Sequence, residues 1–339
     1  MNRTARQIFF LLPAAVMLLF PACTKTAAPY GNGIGFSAGS QEVKSTGSQL
    51  TNNSNLTGSD IGVFGYYSPE DGGSAVTNVF ETTEAVRLSY GTEWTYTPEA
   101  YWHRSQYYRF RAFHPYEANL VSGSDADNLI ITYQPGVDKY DLLVAFSERY
   151  PAVEGTGPVE LKFRHALSAL RFRIAFDPSV RVQDPLHSDV IKKFWLTGLY
   201  EAGTMYYTDT DHANGEGKII WDKAGYEANE PFYLWENDDG KSFGITDADK
   251  VDNICTIFDG NGIVFAIPQT CSDTIDRLTR INFVTGHAPD VVQSFELPRH
   301  EWEPGKKYTY DILITLSDVN ITVSVTDWTD REAQLDIFA

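Results

Sequence analysis

The chain has 339 residues, with 27 Lys and Arg against 45 Asp and Glu, for a formal charge of −18. So acidic a surface repels phosphate backbones and anionic lipid heads, which argues against nucleic-acid binding and leaves a lipid anchor as the only hold on a membrane. The length suggests about two domains. Tyr, Phe and Trp make up 14% of the residues, no long window keeps the 3.6-residue apolar spacing of an amphipathic helix, and aromatic-rich composition favours strands; the expected class is all-β.

Taken in chain order, Arg3 and Arg6 precede an apolar run from Ile8 to Phe20. That is the n-region and h-region of a secretory signal, too short for the roughly twenty apolar residues of a membrane span. Pro13 and Pro21 would break it as a buried helix. The stretch Leu19-Phe20-Pro21-Ala22-Cys23 resembles a bacterial lipobox, in which the cysteine is acylated and becomes the mature N-terminus. Phe20 and Pro21 depart from its commonest form, so ordinary signal-peptidase cleavage is the alternative. On this reading residues 1–22 are a lipoprotein signal peptide and Cys23 carries the lipid, each buried CH₂ adding about 0.8 kcal/mol of membrane affinity.

Residues 23–60 read as a tether with one short strand around Ile34, Phe36 and Ala38. Ile61 to Tyr67 is the first clear strand, and Gly62 and Gly65 within it suggest a bulge or a close backbone approach. Val86–Tyr90, Trp94–Tyr96, Tyr107–Phe113, Leu129–Tyr133, Val159–His165 and Leu170–Phe176 follow as strands. The aromatic and basic alternation of Tyr107–Phe113 predicts one buried and one wet face. Asp141–Phe146 fits a strand or a short helix. Further on, Phe194–Tyr200, Gly217–Trp221, Gly262–Pro268, Tyr308–Leu316 and Ile321–Thr326 are expected strands. Many short strands between Gly, Asn, Asp and Pro turns predict a sandwich architecture.

Several of these pieces together resemble the fimbrillin-like families of Bacteroidales. They are the Cys23 lipobox, Ile61-Gly62-Val63-Phe64-Gly65-Tyr66, Phe113-His114-Pro115-Tyr116, Asp141-Leu142-Leu143 and Leu161 to Leu167. Ile267-Pro268-Gln269, Trp302 to Tyr310 and Val325-Thr326-Asp327-Trp328 complete the set. The resemblance implies two tandem β-sandwich domains of transthyretin-like character after the signal peptide, residues 61–166 and 167–339. It implies an outer-membrane lipoprotein at the cell surface or in a fimbrium, whose partners are other pilus subunits, in a homo- or hetero-polymer, and a surface glycan or protein. It also implies assembly by strand exchange, in which a trypsin-like protease cuts after a basic residue and frees an N-terminal strand. Here the leaving strand would hold Ile34 and Phe36, with Lys44 the candidate cut site. Lys44 is equally readable as a solvated loop residue. Gln334 to Phe338 is a candidate donor strand, or the last strand of its own domain.

Two cysteines remain beyond Cys23. Cys255 and Cys271 are sixteen positions apart, an exported compartment permits a bridge between them, and such a bridge would add about 2–4 kcal/mol. Two buried thiols on neighbouring strands are the alternative. No cofactor, metal or catalytic residue is signalled. The seven histidines form no ligand spacing, and His165, at a strand end, reads as packed between domains. Asp209 to Gly215 fails as a calcium loop, because its Gly falls one place late and Ile220 stands where Glu is needed. Glu236 to Gly240 and Asp247 to Asp249 read as solvated turns. The alternative function is a carbohydrate-binding surface lipoprotein that does not polymerise, with Trp94, Tyr101 and Trp102 as sugar platforms.

Overall fold

A computed structural model describes residues 33–328 except 41–55, 57–59, 72, 104, 117–121, 126, 136, 139, 148–149, 152–156, 177–190, 209–216, 237–254, 257–262, 286–290 and 316–318. Every regular element among the described residues is a strand. The first half holds β1 (Phe36–Ser40), β2 (Ile61–Ser68), β3 (Thr77–Asn78), β4 (Val86–Tyr90), β5 (Trp94–Thr95), β6 (Tyr107–His114), β7 (Ser122–Ser124), β8 (Asn128–Tyr133), β9 (Leu143–Phe146), β10 (Tyr150–Pro151) and β11 (Val159–His165). The second holds β12 (Ser168–Phe176), β13 (Ile191–Thr197), β14 (Leu199–Thr208), β15 (Lys218–Glu227), β16 (Phe232–Glu236), β17 (Cys255–Thr256) and β18 (Ile263–Ala266). It continues with β19 (Thr270–Cys271), β20 (Arg280–Thr285), β21 (Gln293–Glu296), β22 (His300–Glu301), β23 (Lys306–Ile314) and β24 (Val319–Asp327).

In the first half the strands run β10-β6-β9-β11-β1-β5-β4-β2-β3, and β6 also pairs with β2, so the sheet folds back on itself. The corners are strands that change partners along their length, as in orthogonally packed sheets. Val86 and Leu88 of β4 pair with β2, whereas Ser89 and Tyr90 pair with β5. Val159–Phe163 of β11 pair with β1, whereas Arg164 and His165 pair with β9. Phe36, Val63, Leu88, Trp94, Phe110, Leu161 and Phe163 meet in the core enclosed between these layers.

Apart from the half-buried Tyr107, residues of β2 and β6 that point away from this core do not reach water. Phe64, Tyr66 and Phe113 join Leu129, Ile131, Tyr133, Val144, Met205, Tyr207 and Trp221 in a middle core. This overturns the expected wet face of β6: Arg109 and Arg111 are 2% and 0% exposed. Arg109 is satisfied by Asp127 at 3.1 Å and the Gly73 carbonyl at 2.9 Å, and the Arg111 guanidinium lies 4.1 Å from the centroid of Phe146. Alternation showed two faces but not that the second is covered by another layer. The glycines of β2 do mark close approach: a Cβ on Gly62 would run into the Phe113 ring, and one on Gly65 into Phe110 and Phe80.

The covering layer is a sheet of order β15-β14-β8-β7. It straddles the expected boundary near Ala166, since β8 comes from the first half and β14 and β15 from the second. The Trp221 indole donates to the Ala166 carbonyl at 2.9 Å, and Arg164 donates to the Gly217 carbonyl. Residues 61–166 and 167–339 therefore do not keep their strands to themselves. His165 lies at this junction, stacked on Trp328 at 3.6 Å with Asp141 2.8 Å away.

The second core lies between a sheet of order β17-β12-β23-β24, with β18 also on β12, and one of order β16-β13-β20-β21. Phe172, Phe194, Leu196, Phe283, Trp302, Tyr308 and Tyr310 fill it. Phe194–Tyr200, expected as one strand, is two: Gly198 has φ +75 and a Cβ there would strike the Leu278 carbonyl, so the chain turns between β13 and β14. The strand reading of 141–146 holds from Leu143 onward. Cys271 is a free thiol, fully buried. Burial raises its pKa to about 11. It sits on β19 against β22, while Cys255 is on β17 against β12.

Candidate functional site

The first strand and its seat form the arrangement with the most to say about function. Along β1 and the two residues before it the side chains alternate: Ile34, Phe36 and Ala38 are 3%, 6% and 4% exposed, while the outward residues are Gly35, Ser37 and Gly39. A period of two with apolar residues on one side alone fixes which face seats in the core. Phe36 meets Phe110 and Tyr96 edge to face at 5.4 and 5.6 Å, the arrangement aromatic rings prefer. Fully burying side chains such as Ile34 and Phe36 contributes roughly 1.5–3 kcal/mol each.

The backbone of β1 is held unequally on its two sides. Against β11 a parallel ladder runs from Phe36–Val159 to Ser40–Phe163, extended by the Val159 amide donating to the Gly35 carbonyl at 2.8 Å. Against β5 the register is the pair Phe36–Trp94. Upstream, the Ile34 amide donates to the Ala100 carbonyl and the Tyr96 hydroxyl to the Ile34 carbonyl, each at 2.8 Å. Take β1 away and β11 shows a row of unpaired backbone groups beside the aromatic seat of Phe36, formed by Phe80, Tyr96 and Phe110. Such an edge is a template for an incoming strand.

The Ile34 and Phe36 segment is thus a strand where the sequence reading put one. Cys23, Lys44 and Gln334 to Phe338 lie outside the described residues, as do Asp209 to Gly215 and Asp247 to Asp249. Trp94 and Trp102 are not sugar platforms: they are 7% and 5% exposed, inside the first core, and only Tyr101 reaches solvent. Among the described residues no group of three or more His, Cys, Asp or Glu is placed to hold a metal ion. What sequence reasoning missed is the seat itself. Tyr96 and Phe110 were visible as strand residues, but their role as the seat of Phe36 follows from the parallel pairing of β1 with β11, for which sequence carries no local signal.

The comparisons agree with this architecture. A solved fimbrial protein from Bacteroides vulgatus superposes with a TM-score of 0.60 at 16% identity, covering 88% of this chain and 99% of its own. A solved protein from Bacteroides uniformis assigned to cell adhesion gives 0.53 at 15% identity, over 88% of this chain and 98% of its own. No curated protein matches in sequence. The model of one family, described as fimbrillin-like, matches residues 48–328, and the chain belongs to that family.

Proposed function

We propose that this protein is a subunit or adhesin of a surface fibre, held first by a lipid on Cys23 and joined to its neighbours by strand exchange. The observation that carries the reading is the seat of β1. A short strand with two inward apolar residues, preceded by the buried Ile34, is laddered fully on one side and sparsely on the other. It precedes Lys44 in a stretch rich in Ser, Thr and Gly, so one cut there would detach it from the body of the chain. The groove it leaves would take a strand with the same alternation from another subunit, Gln334 to Phe338 being the candidate on this chain. The partners on this reading are other pilus subunits, at the cell surface, and no catalytic activity of this chain is required. A bridge between Cys255 and Cys271 is not required by it.

Mass spectrometry of the N-terminus of protein from native cells, with and without a trypsin-like protease, tests this. A mixture of acylated Cys23 and a new terminus at Ser45, the latter in high-mass assemblies, is the expected result. Acylated Cys23 alone, on a chain that stays monomeric, would overturn it.

A further inference from the structure

Where the hairpin of β14 and β15 meets the turn after β19, a shallow surface cleft of about 50 Å³ opens between Tyr200, Lys223, Tyr226, Gln269, Asp273 and Arg277. That is well below the volume of a pocket that encloses a whole ligand, and it gives room for one small polar group such as a carboxylate, with the rest of a guest lying over the rim. Two features set it apart from an ordinary dent. Arg277, though exposed, is gripped: Nη1 donates to the Tyr200 hydroxyl at 2.8 Å, and its guanidinium lies 5.9 and 5.5 Å from the centroids of Tyr200 and Tyr226. A guanidinium oriented by rings gives up little freedom when it binds, and the rest of its planar fork stays open to an acceptor. The second feature is the Tyr226 hydroxyl, closed off from solvent with no hydrogen-bond partner among the described residues. An enclosed polar group left so costs about 1–3 kcal/mol, which a ligand atom would relieve by displacing the side chains that cover it.

The lining selects the ligand. Lys223 stands 5.9 Å from the Tyr200 ring, so two cations converge on a protein of formal charge −18, and the guest should carry an acid. Asp273, 3.6 Å from Arg299, lines the same cleft; it disfavours a second negative charge and accepts hydrogen bonds from hydroxyls. The Gln269 amide adds a further polar contact. Ile275, between Asp273 and Arg277, is 86% exposed and offers an aliphatic surface at the rim. One carboxylate, several hydroxyls and a C–H face are the groups of an acidic sugar.

We propose that this cleft binds a carboxylated sugar, a uronic or sialic acid unit of a glycan, with its acid on Arg277 and Lys223 and its hydroxyls on Asp273 and Tyr226. The site is independent of strand exchange, and either can fail without the other. The test is a titration of the mature chain, followed by NMR, with glucuronate and N-acetylneuraminate, and with glucose and succinate as the neutral sugar and the non-sugar acid. Saturable binding of at least one acidic sugar in the millimolar range, about −4 kcal/mol, is expected, with glucose and succinate at least about tenfold weaker. Arg277→Gln should weaken binding by about tenfold or more and Tyr226→Phe by a smaller factor, with the thermal midpoint of the Arg277 variant unchanged because that side chain is exposed. No binding of either acidic sugar, equal binding of glucose or succinate, or full affinity in Arg277→Gln would each overturn the assignment.

Discussion

Each half of the molecule begins with a strand that pairs in parallel with a strand near its own end, yet the two are held very differently. In the first half, β1 lies against β11 from Phe36 to Ser40 and meets β5 at Phe36. In the second, β12 lies against β23 from Ala169–Lys307 to Phe176–Ile314, and its other edge is taken by β18 and β17. Arg173 on β12 also grips Asp311 on β23 through two bonds of 2.6 and 2.7 Å, Asp311 being 3% exposed. Removing one partner of such a pair leaves an uncompensated buried charge. The same topological position is therefore held on both edges in one half and fully on one edge only in the other. On the strand-exchange proposal, the opening strand of the first half is the one suited to leave.

The comparison breaks or holds on a matched pair of variants. Phe172 on β12 is fully buried and stacks on Tyr310 at 5.2 Å. Phe172→Ala should cost about 3–5 kcal/mol, seen as a lower urea midpoint for the whole chain. Phe36→Ala removes a ring of the same size, but its loss is bounded by release of one short strand. The expected signature is local: faster hydrogen exchange and protease cutting within residues 33–40, with a smaller shift of the global midpoint. Equal global losses with no selective cutting near β1 would show that β1 is as embedded as β12.

Acid gives a second, smaller lever on the first half. His114, at the end of β6, is 9% exposed, and neither ring nitrogen has a hydrogen-bond partner among the described residues. Burial lowers its pKa from 6.5 to about 4, against a weaker opposing pull from Asp60. The folded pKa lies below the unfolded one, so between these values the unfolded chain binds more protons. Stability from this group is then complete above pH 6.5, falls as pH drops toward 4, and levels off below it. At about 1.4 kcal/mol per pKa unit the loss is about 3 kcal/mol. Urea midpoints between pH 7 and 4 should show it, and His114→Gln should flatten the profile; an unchanged profile in the variant would assign the acid sensitivity elsewhere.

What could be read from the sequence was whatever is local. The alternation of Val159–His165 and the apolar pattern around Phe36 gave β11 and β1 because a half-buried strand writes its faces into consecutive residues. The parallel pairing of β1 with β11, the burial of Arg109 and Arg111, and the break at Gly198 depend on residues far away in sequence. Arg109 and Arg111 alternate with aromatics as a solvated face would, and only the layer formed by β8 and β14 makes that face internal. β20 went unread because Arg280–Thr285 is buried nearly throughout, which removes the alternation that marks a strand. The grip of Tyr200 and Tyr226 on Arg277 has no local signature, since the residues come from two separate segments.

The smallest expected effect bears on whether the two halves act as one. The Trp221 indole, on β15, is the hydrogen-bond donor to the Ala166 carbonyl between β11 and β12. Its ring meets Tyr133 of the first half edge to face at 6.4 Å. Trp221→Phe keeps an aromatic ring in the middle core but leaves that carbonyl without its donor, for a cost of about 1–2 kcal/mol. Because the ladder from Gly203–Tyr133 to Thr208–Asn128 still joins the halves, calorimetry should give one transition in both proteins, shifted down in the variant. Two transitions that appear only in Trp221→Phe would make the indole the main tie. Two in the parent chain would mean that the shared sheet does not couple the halves, and that the tightly held β12 lends no stability to the seat of β1.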